Sequence, residues 1–276
     1  MMQAFGRFTS FAWLLCVGCA LSADDDRLER ILVLGAVPQE ITMIVEALEG
    51  AASSELSGVA YHKGSINDIE VIVALTGVGK TYTGMVTTLF LREFDPDMAF
   101  MTGTAARINP RLSTGDVILA EAVFFHDYGS MTEADIAWHY HDPSGVKANE
   151  PYTSHPALAE MQRAASLLAE YEPHTVVVDG QERTVSLQQG TVTSGDLFGV
   201  NARRIEKLRG ADVDLMEMES AGFAQICEHF KVPYLIIRSG SNQAQPTPND
   251  DYKIYGPIAA KSAATVTLYL IRNWEP

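Results

Sequence analysis

Cysteine is nearly missing from this sequence: there are three in 276 residues, and two of them, Cys16 and Cys19, fall in the first nineteen. The remainder of the chain keeps only Cys227, which rules out an internal disulfide and a multi-thiolate zinc site there. Cys227 lies in an apolar helical pattern with Ala224, Ile226 and Phe230 and reads as a core residue. Positive charge is also scarce. Twenty Lys and Arg stand against 35 Asp and Glu, a net charge of −15, with no basic run. That balance argues against a nucleic-acid backbone or an anionic membrane surface as the main partner. No heptad array, repeat period or Pro/Gly/Ser-rich linker divides the chain, so solenoid, coiled-coil and multidomain readings lack support. The histidines show no metal-ligand spacing, and no organic cofactor is indicated.

What is present begins with a leader. Arg7 is the only charge before Asp24, Phe8 to Leu21 is apolar, and Ala20-Leu21-Ser22 places small residues before a cleavage point at Ala23. Residues 1–23 therefore read as a secretory signal peptide, and residues 24–276 as the exported domain, periplasmic or extracellular. An uncleaved anchor and lipid attachment at Cys19 are the alternatives, and either would be the chain's sole membrane contact.

From Arg30 onward, short apolar runs alternate with helical patterns. Strands are expected at Arg30 to Gly35, within Glu55 to Leu75, at Met98 to Met101, Asp116 to Phe125, Ser186 to Val192, Val213 to Met218 and Pro233 to Arg238. Helices are expected at Gln39 to Leu48, Thr81 to Phe94, Pro156 to Tyr171, Glu219 to Phe230 and Ile258 to Arg272. The alternation predicts one α/β domain, a three-layer α/β/α sandwich on a central mixed sheet. Tyr128 to Thr153 is polar and aperiodic and reads as a long excursion, a lid or an interface.

Ala74-Leu75-Thr76-Gly77-Val78-Gly79-Lys80-Thr81 fits a loosened phosphate-binding loop between a strand and a helix. The strict first glycine is Ala74, and no strand ends in a clear magnesium-holding aspartate. A tight strand-to-helix turn is the preferred reading.

Several strand-end segments carry a resemblance: Gly35-Ala36-Val37-Pro38-Gln39-Glu40, Thr76-Gly77-Val78-Gly79-Lys80, Thr102-Gly103-Thr104-Ala105, Ser194-Gly195-Asp196-Leu197-Phe198, Met216-Glu217-Met218-Glu219 and Arg238-Ser239-Gly240-Ser241-Asn242. In this order they resemble the nucleoside phosphorylase/nucleosidase superfamily, and within it the 5'-methylthioadenosine/S-adenosylhomocysteine nucleosidases. The resemblance implies hydrolysis of the N-glycosidic bond of a purine nucleoside, with Glu40 activating the water that attacks the ribose. It implies that Glu219 and Met218 hold the ribose and that Phe198 stacks on the purine. The backbone at Gly199 reads the base edge, Thr104 and Ala105 lie near the nucleophile, and Ser241 and Asn242 face the base. It also implies a homo-oligomer, most simply a dimer, with 128–153 as the candidate contact. His126 and Asp127 recur after the same strand and are given no chemistry.

Taken alone, these residues admit plainer roles. Glu40 suits the first turn of a helix, Phe198 suits a core, and Glu219 would need a partner if merely buried. Met101 stands where the superfamily's phosphorylases place an arginine for phosphate, which favours water as nucleophile. Asn242 stands where the nucleosidases carry the aspartate that protonates the purine; an amide can hydrogen-bond there but cannot deliver a proton. That departure keeps two alternatives open: a phosphorylase preferring 6-oxopurines, and an exported nucleoside binder without chemistry.

Overall fold

The computed structural model describes residues 28–141, 144–145 and 147–274. The leader, with Cys16 and Cys19, lies outside them. The chain opens with β1 (Arg30–Gly35), α1 (Pro38–Glu46), β2 (Glu49–Leu56), β3 (Val59–Ile66), β4 (Ile69–Leu75), α2 (Lys80–Phe94), β5 (Met98–Arg107) and β6 (Val117–Phe125). Five short strands follow: β7 (Gly129–Met131), β8 (Ile136–Trp138), β9 (Tyr140–His141), β10 (Lys147–Ala148) and β11 (Thr153–Ser154). Then come α3 (Leu158–Ala169), β12 (Thr175–Val178), β13 (Gln181–Thr184), β14 (Leu187–Ser194), α4 (Ala202–Arg209), β15 (Leu215–Glu217), α5 (Ser220–Phe230), β16 (Tyr234–Gln243) and α6 (Asn249–Asn273).

Ten strands form the expected central mixed sheet, in the order β11-β6-β14-β15-β5-β1-β4-β3-β2, with β16 paired to both β5 and β6. β1 runs parallel to β4 and β5, and β16 parallel to β5, so their carboxyl ends point the same way. Because strand side chains alternate, β1 sends Ile31 and Val33 to one face and Leu32 and Leu34 to the other. The first face is covered by α1, α3 and α6, through residues such as Ile44, Ala164 and Ala264. The second is covered by α2 and α5, through Phe90, Phe223 and the buried Cys227. Three layers result. α6 is long and apolar enough to span a bilayer, yet it packs as a core helix of this sandwich.

Several expectations need correction. β2 is a strand that the sequence reading began only at Glu55; it is an exposed edge strand, so it lacks an alternating apolar face. The hairpin β12–β13, turning at Asp179-Gly180, and helix α4, capped by the Asn201 side chain on the Arg204 N–H, were absent from the expected elements. α6 starts nine residues before Ile258 and runs through Pro257. The excursion at 128–153 contains two small antiparallel pairs, β7–β8 and β9–β10, before β11 joins the sheet edge. It is pinned by the Arg204–Asp135 ion pair and by Lys207 over the Trp138 ring.

Candidate active site

At the carboxyl end of β1 the chain turns through Ala36 and Val37 into α1, with Pro38 at the first helical position. Glu40 sits in that first turn and is 2% exposed. Its Oε2 accepts from the N–H groups of Ala36 (2.7 Å) and Val37 (3.2 Å). Its Oε1 accepts from Thr104 N–H (2.8 Å) and Thr104 Oγ1 (2.9 Å) at the end of β5. The plain role and the functional one therefore coincide: the carboxylate caps its own helix and also faces a cavity.

Arg238, on β16 and 0% exposed, gathers the charges. Its guanidinium lies 2.5 Å from Glu217, 3.5 Å from Glu219 and 4.0 Å from Glu40, and Nε donates to Ser220 Oγ at 2.9 Å. Burial opposes its charge, but the three carboxylates outweigh that and hold it protonated. Gly103 makes the approach possible. At φ +157 its added Cβ would stand 2.4 Å from Arg238 Nη1 and 2.6 Å from the Glu40 carboxyl.

Glu217 is bound by the hydroxyls of Ser194 and Ser220 and by the N–H groups of Glu219 and Ser220. Glu219 has fewer donors: Gly79 N–H at 3.0 Å and the longer Arg238 contact. Burial, reinforced by the neighbouring Glu217 charge and only partly offset by Arg238, pushes its pKa up to about 8. An ordinary glutamate ionises near 4.5. The folded state therefore holds this proton more tightly than the unfolded chain. The stability it contributes is complete below about pH 4.5 and is lost as pH rises through about 8. Glu219→Gln, neutral throughout, should gain melting temperature relative to the parent protein between pH 5 and pH 8. A difference that stays constant with pH would mean that Glu219 is ionised across the range.

The glycine turn after β4 spends its donors within the protein. Gly79 N–H serves Glu219, Lys80 N–H donates to Asp196 Oδ1 (2.9 Å), and Lys80 Nζ pairs with Asp127 (2.7 Å). Asp127 also accepts from Asp196 N–H, so it ties two loops together. His126 is buried beside Arg204; burial lowers its pKa to about 4, so it is neutral at physiological pH.

Glu40, Glu217 and Glu219 floor a cavity of about 230 Å³. All nine residues named from the sequence line it: Glu40, Thr104, Ala105, Phe198, Gly199, Met218, Glu219, Ser241 and Asn242. Phe198 is half exposed at the mouth, which removes the plain-core reading, and its ring meets Tyr252 edge-on at 5.8 Å. Gly199, at φ +95, lets the chain close on the 245–248 loop; a Cβ there would stand 2.7 Å from the Pro246 carbonyl. Asn242 is buried, with Nδ2 donating to the Gln243 carbonyl (2.8 Å) and Oδ1 accepting from Ser241 Oγ (3.0 Å).

Sequence reasoning gave no role to Arg238, although an arginine ending the apolar run Tyr234 to Ile237 was a signal. It also missed Tyr252, which precedes any apolar periodicity in α6.

Three carboxylates and no Lys, Arg or His line the cavity among the described residues. Met101 is buried in the apolar core, Lys80 is ion-paired, and Arg107 donates to the Leu112 carbonyl beside a separate polar cleft. A phosphate dianion would meet like charge here without a bidentate partner.

A carboxylate-floored cavity at the carboxyl ends of the strands, between helical layers, is where an α/β enzyme binds a small ligand. The family model of the phosphorylase superfamily matches residues 30–272, and the chain belongs to that superfamily. It is 30% identical over 246 residues to the 5'-methylthioadenosine/S-adenosylhomocysteine nucleosidase of Psychromonas ingrahamii, covering 88% of this chain and 99% of that protein. The nucleosidase of the same name from Geobacillus kaustophilus is 29% identical, over 88% of this chain and 96% of its own. The crystal structure of the Neisseria meningitidis nucleosidase in complex with methylthio-immucillin-A shares the fold, with TM-score 0.75 and 24% identity over 89% of this chain and 99% of that one.

Proposed function

We propose that the protein hydrolyses the N-glycosidic bond of a purine nucleoside of the methylthioadenosine/S-adenosylhomocysteine type. The observation that carries this reading is the cavity floor: Glu40 and Glu217, with the protonated Glu219 beside them, against the guanidinium of Arg238. Breaking the bond leaves positive charge on the ribose, and an anionic site stabilises that charge more than it does the neutral substrate. Glu40 takes a proton from water, the water oxygen bonds to the anomeric carbon, and the C–N electron pair leaves with the base. Glu219, protonated at neutral pH, donates to a ribose hydroxyl, with Met218 against the sugar. Phe198 stacks on the purine, and the Gly199 backbone meets the base edge. Ala105 and Ser241 shape the wall. Asn242 hydrogen-bonds the base without protonating it, so the leaving base draws its proton from solvent.

The reading extends to setting. The apolar leader at 1–23 supports export with cleavage before Ala23, lipid attachment at Cys19 being the alternative. The exposed Tyr82 and Met85 of α2 and the exposed Leu197 of the cavity wall support a homo-oligomer, a dimer in its simplest form.

The test is release of free base from methylthioadenosine, S-adenosylhomocysteine, adenosine and inosine, with and without phosphate. Release of adenine independent of phosphate is expected. Release from inosine only with phosphate would make the protein a phosphorylase, and binding without any release would make it a nucleoside binder. In the same assay Asn242→Asp should raise adenine release about a hundredfold or more, the low end of the range for an added general acid. One oxygen of that carboxyl would face the Gln243 carbonyl, an arrangement that favours the protonated acid.

A further inference from the structure

Glu40 has no free lone pair. A carboxylate offers about four acceptor sites, and four donors fill them here: Ala36 N–H, Val37 N–H, Thr104 N–H and the Thr104 hydroxyl. If Glu40 takes a proton from water, as the reading above requires, one donor must give way as the proton arrives. Three of the four are backbone groups fixed by β1, α1 and β5. Only the Thr104 hydroxyl can rotate. Its other neighbour is Tyr252 Oη at 3.3 Å, in a geometry where either oxygen can be the donor. Tyr252 stands in the first turns of α6 and lines the cavity. Gln39 Nε2 donates to its phenol oxygen at 3.0 Å, and its ring rests edge-on against Phe198. Gly256, one turn further along α6, leaves room for this pair: a Cβ there would stand 3.1 Å from the Tyr252 ring and 3.3 Å from Gln39 Nε2.

We propose that Tyr252 is a positioning residue that receives the Thr104 hydroxyl when Glu40 becomes protonated. In the resting site Gln39 donates to Tyr252, Tyr252 to Thr104, and Thr104 to Glu40. After water gives its proton to Glu40, the new Glu40 O–H donates to Thr104 Oγ1. The Thr104 hydroxyl turns to donate to Tyr252 Oη, and the phenol hydrogen swings into the cavity. Apart from the transfer from water to Glu40, no covalent bond changes; Thr104 and Tyr252 keep their own hydrogens. Reversing the Glu40–Thr104–Tyr252 part of the chain keeps the Glu40 carboxyl and the Thr104 hydroxyl hydrogen-bonded on both sides of the step.

Tyr252→Phe keeps the ring and its contact with Phe198 and removes only the hydroxyl. On the best substrate from the base-release assay, kcat should fall about tenfold, the size of one hydrogen bond, with KM within about twofold and unchanged melting. In a Thr104→Val background the same substitution should cost nothing further, because there is no hydroxyl left to receive. Gln39→Met, outside the cavity wall, gives an independent check. It should lower kcat by less and add nothing to Tyr252→Phe. Equal losses in both Thr104 backgrounds, or a loss carried by KM, would overturn the proposal. This inference rests on Glu40 as the base, and Glu40→Gln separates the two. Activity retained in Glu40→Gln removes the base itself. An inactive Glu40→Gln beside a Tyr252→Phe of undiminished kcat removes only the role of Tyr252.

Discussion

Glu40→Gln is expected to lower kcat by about 10³-fold, in the middle of the range for a positioned proton acceptor. Glutamine is nearly isosteric, so the cavity keeps its shape, but an amide cannot take a proton from water. The environment adds a second effect. Each oxygen of Glu40 accepts from two donors, at Ala36 and Val37 on one side and Thr104 on the other. Whichever way the amide is placed, its NH₂ points at N–H groups and leaves at least one buried donor unsatisfied, at a cost of about 1–3 kcal/mol. The variant should therefore be both slow and less stable. Steady-state kinetics with methylthioadenosine, read beside a thermal melt, separates the two. A folded variant that retained a tenth of the parent rate would take Glu40 out of the chemistry.

The largest effect on stability is expected from Arg238→Met. The substitution conserves approximate volume and leaves Glu217, Glu219 and Glu40 without the only cation paired with them among the described residues, in a region where all three are nearly inaccessible. Removing one partner of a buried ion pair costs about 3–5 kcal/mol, because the remaining charge is stranded. At about 2–4 °C per kcal/mol for a chain of this size, the melting temperature should fall by roughly 10 °C or more. The pH dependence has a definite sign. Stranded carboxylates hold protons more tightly folded than unfolded, so their penalty is absent at low pH and grows as pH rises. The gap between variant and parent should thus be narrower at pH 5 than at pH 8. Melting within about 2 °C of the parent at pH 8, less than the smallest single buried-pair cost, would show that Arg238 is not what holds these carboxylates in place.

How much of this could be read beforehand depended on whether the signal was local. β1, β4 and β16 were visible as continuous apolar runs because both their faces are covered, and every residue named for the cavity stands at or just beyond a strand end. The edge strand β2 is exposed along nearly its whole length, so it carries no alternating pattern. The early part of α6 holds Asp250, Asp251 and Tyr252 ahead of Pro257; tertiary contacts with Gln39 and Phe198 hold its place, rather than an apolar stripe. The β12–β13 hairpin did have a signal, the Asp-Gly turn with both residues at positive φ. The role of Arg238 was invisible for a different reason: it depends on partners from distant parts of the chain, and a single apolar run ending in arginine does not name them.

That convergence on Arg238 also bears on how the protein reaches its working form. Arg238 stands on the buried β16, and its partners come from the first helix, from the end of β15 and from the start of α5, so the guanidinium is neutralised only when these elements have docked. Contacts of such long range form late, after the loop-closure entropy between them has been lost. A chain that has made its helices but has not seated β16 between β5 and β6 holds the carboxylates apart and has no cavity floor. Turnover is thus a reporter of complete assembly, and in refolding it should return after the helical signal rather than with it.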